Sequence, residues 1–532
     1  MRKNILKIIL AILGLALSLS FFTKLLTPTW YDWNNDNTMK GIYREPRGRI
    51  QVLFLGSSLV INGISPMHLY DQYGICAYNM GTQLQSMLTS YYWLREIYRM
   101  QSGTLRIVVL DVSSLFHDPG EEDRRALFVE KALAGMRLSP VKIEALQACE
   151  DRYDLDFWEH IFPIAAYHSR WQELTEEDFT GLTDENNYYF TRGQHIDFTS
   201  AFQHIDPAAI ITPNENITAG RDFSEVEFEQ IWNRDEKEYL SKIAEFCEEK
   251  GISLVFTTHV KPAADDMKHD AVQYLADEYD VPFIDFNLVE IQEEIGLDLA
   301  MDFTDGEGHA NAYGGKKLTD YLGSFLRSHY QIDDVRGQKK YSYLEKQAAD
   351  FSIVEEDIML RYNNSFTDYL RQIGKGRYTV FLSVKDEAFA GLSPEQKEML
   401  SDLGFTKINE AGIGCSYIGI VDQGKILVNE ASSSPQDSTA AEGIVEKNGK
   451  FSISGIMNPF NKQKKLYGNY FCITSGGAGS DERSSVMIHN NEYSLNKNGM
   501  NFVIYDNQLK MAAGSDSFDT HSETTPRINA VR

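Results

Sequence analysis

Residues 52–55, Val-Leu-Phe-Leu, run straight into Gly56-Ser57-Ser58-Leu59, and this junction most constrains what the chain can fold into. Four apolar residues in unbroken succession read as a strand buried on both faces, the habit of a parallel sheet covered by helices. The glycine and two serines break that strand sharply. Ile64-Ser65-Pro66 then predicts a helix with Pro66 in its first turn. The alternation continues downstream, with strands predicted at 75–79, 105–112, 252–257 and 282–286. Helices are predicted at 83–100, 236–250 (stopped by Gly251), 265–279 and 316–326. Such an order defines an α/β domain, a parallel sheet with helices on both faces and its site at the carboxyl ends of the strands.

Ser58, on a tight turn at such a strand end, presents an exposed hydroxyl with backbone N–H groups beside it. Those are a nucleophile and the beginnings of an oxyanion site. A base is supplied far downstream, where Asp302-Phe-Thr-Asp305-Gly-Glu-Gly-His309 sets a histidine near two aspartates just before an amphipathic helix. The two blocks, in this order at either end of an α/β pattern, resemble the SGNH/GDSL hydrolase family. Ser58 takes the nucleophile position, with Ser57 where the family carries aspartate. In the last block Asp305 lies four residues before His309 where the family has three, and Asp302 lies seven before, so either carboxylate is a candidate.

That resemblance implies a flavodoxin-like, three-layer fold in which His309 is the base and Asp305 or Asp302 orients it. The second block, Asn79-Met80-Gly81, implies Gly81 as an oxyanion donor beside the Ser58 N–H. The third block normally brings an asparagine. Here Leu110-Asp111-Val112-Ser113-Ser114 stands in its place, so either Ser113 or Ser114 substitutes as the third donor or that donor is lost. A Gly-Ser-Ser turn is expected of the membrane-anchored, cell-wall-modifying branch of that superfamily. Acyl chemistry of this kind runs on side chains alone, so no metal or organic cofactor is expected.

The N-terminus carries Arg2, Lys3 and Lys7 ahead of a charge-free, mostly apolar run to Phe22. Residues 5–26 are long enough to cross a bilayer at roughly 1.5 Å per residue. The basic residues predict a cytoplasmic N-terminus and an extracellular body. Phe21-Phe22 directly after the weak small-residue stretch 16–20 favour an uncleaved signal anchor over a signal peptide. A net charge of −26 over 532 residues excludes a nucleic-acid binder, which needs a basic face. The five cysteines are scattered without metal-ligand or CxxC spacing, so neither a zinc site nor a disulfide framework is expected, although Cys415 and Cys472 lie in one region.

The organisation expected is an anchor at 1–26, an SGNH-like domain at 27–330, a linker helix within 331–365, and a smaller α+β domain at 366–532. The α/β pattern lapses between 116 and 235, where helices at 124–136 and 139–162 precede a loop-rich stretch. An insertion at an active face builds a lid or substrate wall, and His168 and Arg170 are its tempting polar residues. In the last domain a strand is predicted at 378–386, a capped helix at 392–400 and a hairpin around 422–425. Residues 432–448 are expected as a polar mobile loop, and 496–506 as a central strand.

The segments 378–388, 403–405 and 496–506 with Phe518-Asp519-Thr520-His521 resemble the interleukin-like EMT inducer domain, with its halves in swapped order. That domain also forms the sugar-binding stem of a eukaryotic glycosyltransferase. The likeness implies glycan contact, for which Tyr493, Asn501 and His521 are the candidates. The whole reads as a membrane-anchored, extracytoplasmic serine esterase or O-acyltransferase acting on acyl groups, acetyl foremost, of a bacterial cell-surface glycan. Its rival is a non-catalytic scaffold of the same fold that binds surface polysaccharide.

Overall fold

The computed structural model describes residues 2–26, 39–116, 119–153, 155–174, 188–199, 224–262, 264–386, 388–446, 449–457, 470–480, 483–489 and 491–528, with 179 and 217 besides. Much of the loop-rich stretch before 235, and residues 27–38 after the first helix, therefore lie outside the described residues. The chain opens with α1 (Arg2–Leu26), whose segment Ile5–Leu26 has a mean hydropathy of 2.5 and is long and apolar enough to cross a membrane.

A parallel sheet follows. In chain order come β1 (Val52–Leu55), α2 (Ser58–Gly63), α3 (Pro66–Tyr73), β2 (Ala77–Asn79), α4 (Met87–Gln101) and β3 (Ile107–Asp111). Next are α5 (Pro119–Ala134), α6 (Pro140–Tyr153), α7 (Phe157–Ile161), α8 (Pro163–Tyr167), a 3₁₀ turn at His168–Gln172 and α9 (Glu225–Ile231). The sheet resumes with α10 (Arg234–Lys250), β4 (Ser253–Thr258), α11 (Asp266–Glu278), β5 (Phe283–Asp285), α12 (Val289–Ile295) and α13 (Ala312–His329). The five strands are ordered β2-β1-β3-β4-β5, all parallel, with Val52 opposite both Ala77 and Ile107. The order reverses between β1 and β3, and ligands of open parallel sheets sit at such a reversal.

The unbroken apolar runs have a direct cause. Leu53, Leu55, Val108, Leu110 and Phe256 pack on one face against Trp93 and Ile97 of α4 and Leu240 of α10. Val52, Phe54, Ile107, Val109 and Val255 pack on the other against Leu318, Leu322 and Leu326 of α13. Alternate side chains point to opposite faces, so burial on both sides leaves no polar positions. Two differences from the sequence reading are local. A short helix, α2, begins at Ser58 itself because Ser57 caps it, accepting from the Leu59 N–H. The single helix expected at 139–162 is split, since Asp156 caps α7 by accepting from the Trp158 and Glu159 N–H groups.

The remainder is α14 (Ser342–Arg361), α15 (Phe366–Ile373), β6 (Tyr378–Lys385), α16 (Pro394–Asp402), β7 (Tyr417–Asp422), β8 (Lys425–Ala431), β9 (Ser438–Val445), β10 (Phe451–Met457), β11 (Tyr470–Gly476), β12 (Ser484–Ile488), β13 (Asn491–Glu492), β14 (Gly499–Asp506) and β15 (Met511–Phe518). Two antiparallel sheets, β15-β14-β6-β7-β8 and β10-β9-β11-β12-β13, stack through Phe381, Phe451, Phe471 and Tyr505. Helices α15 and α16 cover the outer face of the first sheet. The stretch expected as a mobile loop at 432–448 contains β9, an interior strand held by β10 and β11, with Ala441 and Val445 in the inter-sheet core. Its alternation of small residues is faint, and both its partners lie later in the chain.

Helix α14 is no free spacer. Leu344, Phe351, Val354 and Ile358 are buried together with Met67 and Tyr70 of α3, Tyr313 of α13, Leu509 just before β15 and Ala513 within it. All five cysteines are free, four of them buried and Cys472 partly so.

Candidate active site

Ser58 is the first residue of α2. The preceding Gly56 makes the turn possible: at φ +154 a Cβ there would lie 2.5 Å from both Asp111 Cβ and Val60 Cγ2. The far loop is built to match. Gly308, at φ +99, lies where a Cβ would fall 1.9 Å from the Val260 carbonyl oxygen, so only glycine lets residues 305–309 lie down on the end of β4. Asn311 caps α13, accepting from the Tyr313 and Gly314 N–H groups, and its amide donates to the Met301 carbonyl. The loop is thus tied at both ends.

These constraints bring Ser58 Oγ to 2.7 Å from His309 Nε2, and His309 Nδ1 to 2.8 Å from Asp305 Oδ2. With the Nδ1 proton donated to the carboxylate, Nε2 is left as the acceptor for the serine hydroxyl. Burial alone would raise the Asp305 carboxyl. The hydrogen bond and charge of His309, with the N–H groups of Glu307 and His309, instead hold it below the ordinary carboxylate value. The arrangement is that of a nucleophile, a base and an orienting carboxylate.

Asp302 has a different place. It is fully buried, its Oδ2 2.7 Å from Lys317 Nζ and accepting from the Asp298 N–H at 2.8 Å, with Arg361 of α14 at 3.6 Å. It is a structural anchor and no alternative partner for His309.

The oxyanion donors expected from the sequence need correction on two points. The Gly81 N–H is donated to the side-chain oxygen of its neighbour Asn79 at 3.1 Å. Glycine is required there because a Cβ would lie 3.0 Å from the Ser57 carbonyl oxygen and 2.9 Å from Ile61, so the backbone packs under the nucleophile turn. Asn79 also donates to the Val60 and Ile64 carbonyls, fixing the length of α2. Ser113 donates its hydroxyl to Asp111 Oδ1 at 2.6 Å and its N–H to the same oxygen at 3.1 Å. The Ser58 N–H is the donor at the nucleophile that no hydrogen bond engages among the described residues.

Ser58 and His309 open into a cleft of about 450 Å³, whose further walls include Gln83, Ser113, Arg124, Phe128 and Lys261. The insertion was expected to build a wall here, but through His168 and Arg170; the residues it brings to the cleft are Arg124 and Phe128 of α5, which the sequence did not single out. Asp111 was also missed, although Leu110-Asp111 at the end of β3 was in view; its Oδ2 accepts from Ser57 at 3.3 Å, so one carboxylate braces both serine turns. His168 and Arg170 lie elsewhere: His168 Nδ1 pairs with the Ala165 carbonyl, and Arg170 reaches the end of α1. Among the described residues no cluster of histidine, cysteine and carboxylate side chains has a metal-holding arrangement.

In the C-terminal domain, Asn501 is fully buried and exchanges hydrogen bonds with the Lys497 backbone at 2.9 and 2.7 Å, so it braces a turn and cannot meet a sugar. Tyr493 packs on the inter-sheet core beside β13. His521 lies after β15 on the other sheet, between Asp519 at 3.5 Å and Asp386 at 4.0 Å. No protein-family model and no curated protein matches the chain.

Proposed function

We propose that this chain is a serine acyl-transfer enzyme of SGNH type, an esterase or O-acyltransferase, in which Ser58 attacks, His309 takes its proton and Asp305 holds the imidazole. The observation that carries the reading is the pair of contacts at 2.7 and 2.8 Å linking the three side chains. The first joins residues 251 positions apart in the chain, at the reversal point of a parallel sheet, which supports a built site over chance packing. Ser58 forms the acyl-enzyme; water or a sugar hydroxyl then accepts the acyl group, and the same machinery serves either outcome. Helix α1, with Arg2, Lys3 and Lys7 in its first turns, supports a single-pass anchor with the N-terminus cytoplasmic and the body outside. The substrate that fits this location is an acylated glycan of the cell surface.

A second reading, a scaffold that holds polysaccharide without turnover, is favoured by one observation: the Gly81 N–H and Ser113 hydroxyl are both engaged within the protein. Loss of one oxyanion donor costs about 10²–10³-fold in rate. Hydrolysis of p-nitrophenyl acetate and of acetylated glycans by the full chain, beside Ser58→Ala, separates the two. Turnover that vanishes in the variant supports the enzyme. Equal inactivity of both proteins on every ester supports the scaffold.

A further inference from the structure

The middle of the insertion packs against α1. Arg170 donates to the carbonyl oxygens of Leu25 and Leu26, at 3.4 and 3.1 Å, and α8 and the 3₁₀ turn after it pack on that end of α1. Carbonyls at a helix C-terminus lack intrahelical partners and carry partial negative charge, so a guanidinium is a fitting cap. Leu25 and Leu26 also close the segment long enough to cross a bilayer. A group bonded to them sits where hydrocarbon gives way to headgroups.

Large aromatic side chains are exposed on α7, just after it, and on the 3₁₀ turn that meets α1. Trp158 and Trp171 are each 65% exposed and Phe162 is 55% exposed. Trp158 and Phe162 stack with ring centroids 6.2 Å apart. Water disfavours such a cluster, whereas the membrane boundary is where indole rings collect.

We propose that α7, α8 and the 3₁₀ turn form a second membrane-contact surface, seating Trp158, Phe162 and Trp171 among the headgroups around the outer end of α1. This rests on α1 spanning the membrane. The consequence reaches the cleft. Helix α7 packs on α6 and α6 on α5, and His160 Nε2 lies 3.6 Å from Glu130 of α5. Helix α5 in turn supplies Arg124 and Phe128 to the cleft wall. The membrane-seated face and the cleft wall are one helical layer, so the Ser58–His309 cleft is held close to the bilayer. The class of substrate this suits is an acyl donor or acceptor that is itself held at the membrane surface.

The test uses the full chain reconstituted in phosphatidylcholine vesicles whose acyl chains carry bromine near the headgroup, which quenches nearby indoles. Trp158→Phe/Trp171→Phe removes the two reporters while keeping aromatic bulk. Trp93 and Trp232 are buried in the core, and Trp30 and Trp33 are common to both proteins. The variant is expected to lose about half of the quenching seen in the native chain. Equal quenching of the two proteins, with both floating with the vesicles, overturns the proposal. Failure of the native chain to float overturns the membrane reading of α1 and this proposal with it.

Discussion

Two neighbouring strands of the parallel sheet end in the same residues and meet different fates. Strand β1 runs into Ser57-Ser58 and β3 into Ser113-Ser114, on either side of the point where strand order reverses. Ser58 faces an imidazole at 2.7 Å. Ser113 donates to Asp111, and Ser114 donates to Glu236 at 3.2 Å. A carboxylate is a much weaker base than an imidazole, so it holds a hydroxyl in place without drawing off its proton. On the proposed reading, the turn supplies exposure while the partner across the cleft supplies reactivity.

The largest effect should come from swapping the two turns' fates. Ser58→Ala is expected to lower ester turnover by about 10⁴–10⁶-fold, the cost of losing a triad nucleophile. Ser114→Ala should leave kcat within about threefold, since its hydroxyl serves Glu236. Comparable losses in both variants would erase the distinction.

The two aspartates sharpen the same contrast. Asp305→Asn should lower kcat by about 10⁴-fold with the melting temperature little changed, because it spoils the tautomer and not the fold. Asp302→Ala should instead destabilise by about 3–5 kcal/mol, since Lys317 and Arg361 lose a buried counter-charge. Calorimetry alongside steady-state kinetics reads both. Asp111→Ala is next, expected to cost about 1–3 kcal/mol by leaving the Ser113 donors unmatched and loosening Ser57.

The smallest effect is a pH slope. Burial opposes charge on His68, but Asp320 at 2.6 Å and Glu355 at 3.6 Å raise its pKa above the ordinary value. Its stabilisation is therefore complete below about pH 6.5 and is lost as pH rises through the raised native value. Urea midpoints measured from pH 6 to 9 should fall in the native chain and fall less steeply in His68→Asn, the remaining slope coming from His269, where burial again opposes charge but Asp285 also raises the pKa. A slope unchanged by the substitution would remove His68 as its source.

What was legible in the sequence was what local residues dictate. Val52–Leu55 admits little besides a buried strand, and the glycine-flanked serine and the loop carrying His309 announce themselves by type and spacing. The rest depended on partners far along the chain. Asp302 and Asp305 share one loop, and only Arg361 of α14, with Lys317, assigns Asp302 to the scaffold. Gly81 sits where an oxyanion donor belongs, yet the Asn79 side chain takes its N–H, which no spacing rule foresees. Strand β9 was hidden because small residues carry a weak alternation and its pairing is settled by β10 and β11.

Ser58, alone among the serines of the two turns, is proposed to be a nucleophile activated by His309. Incubation of the full chain with a fluorophosphonate, followed by peptide mass analysis, tests it directly. One covalent adduct is expected, on the peptide carrying Ser58, absent from His309→Ala and retained in Ser113→Ala. An adduct on Ser113 or Ser114, or labelling of Ser58 undiminished by loss of His309, would contradict it.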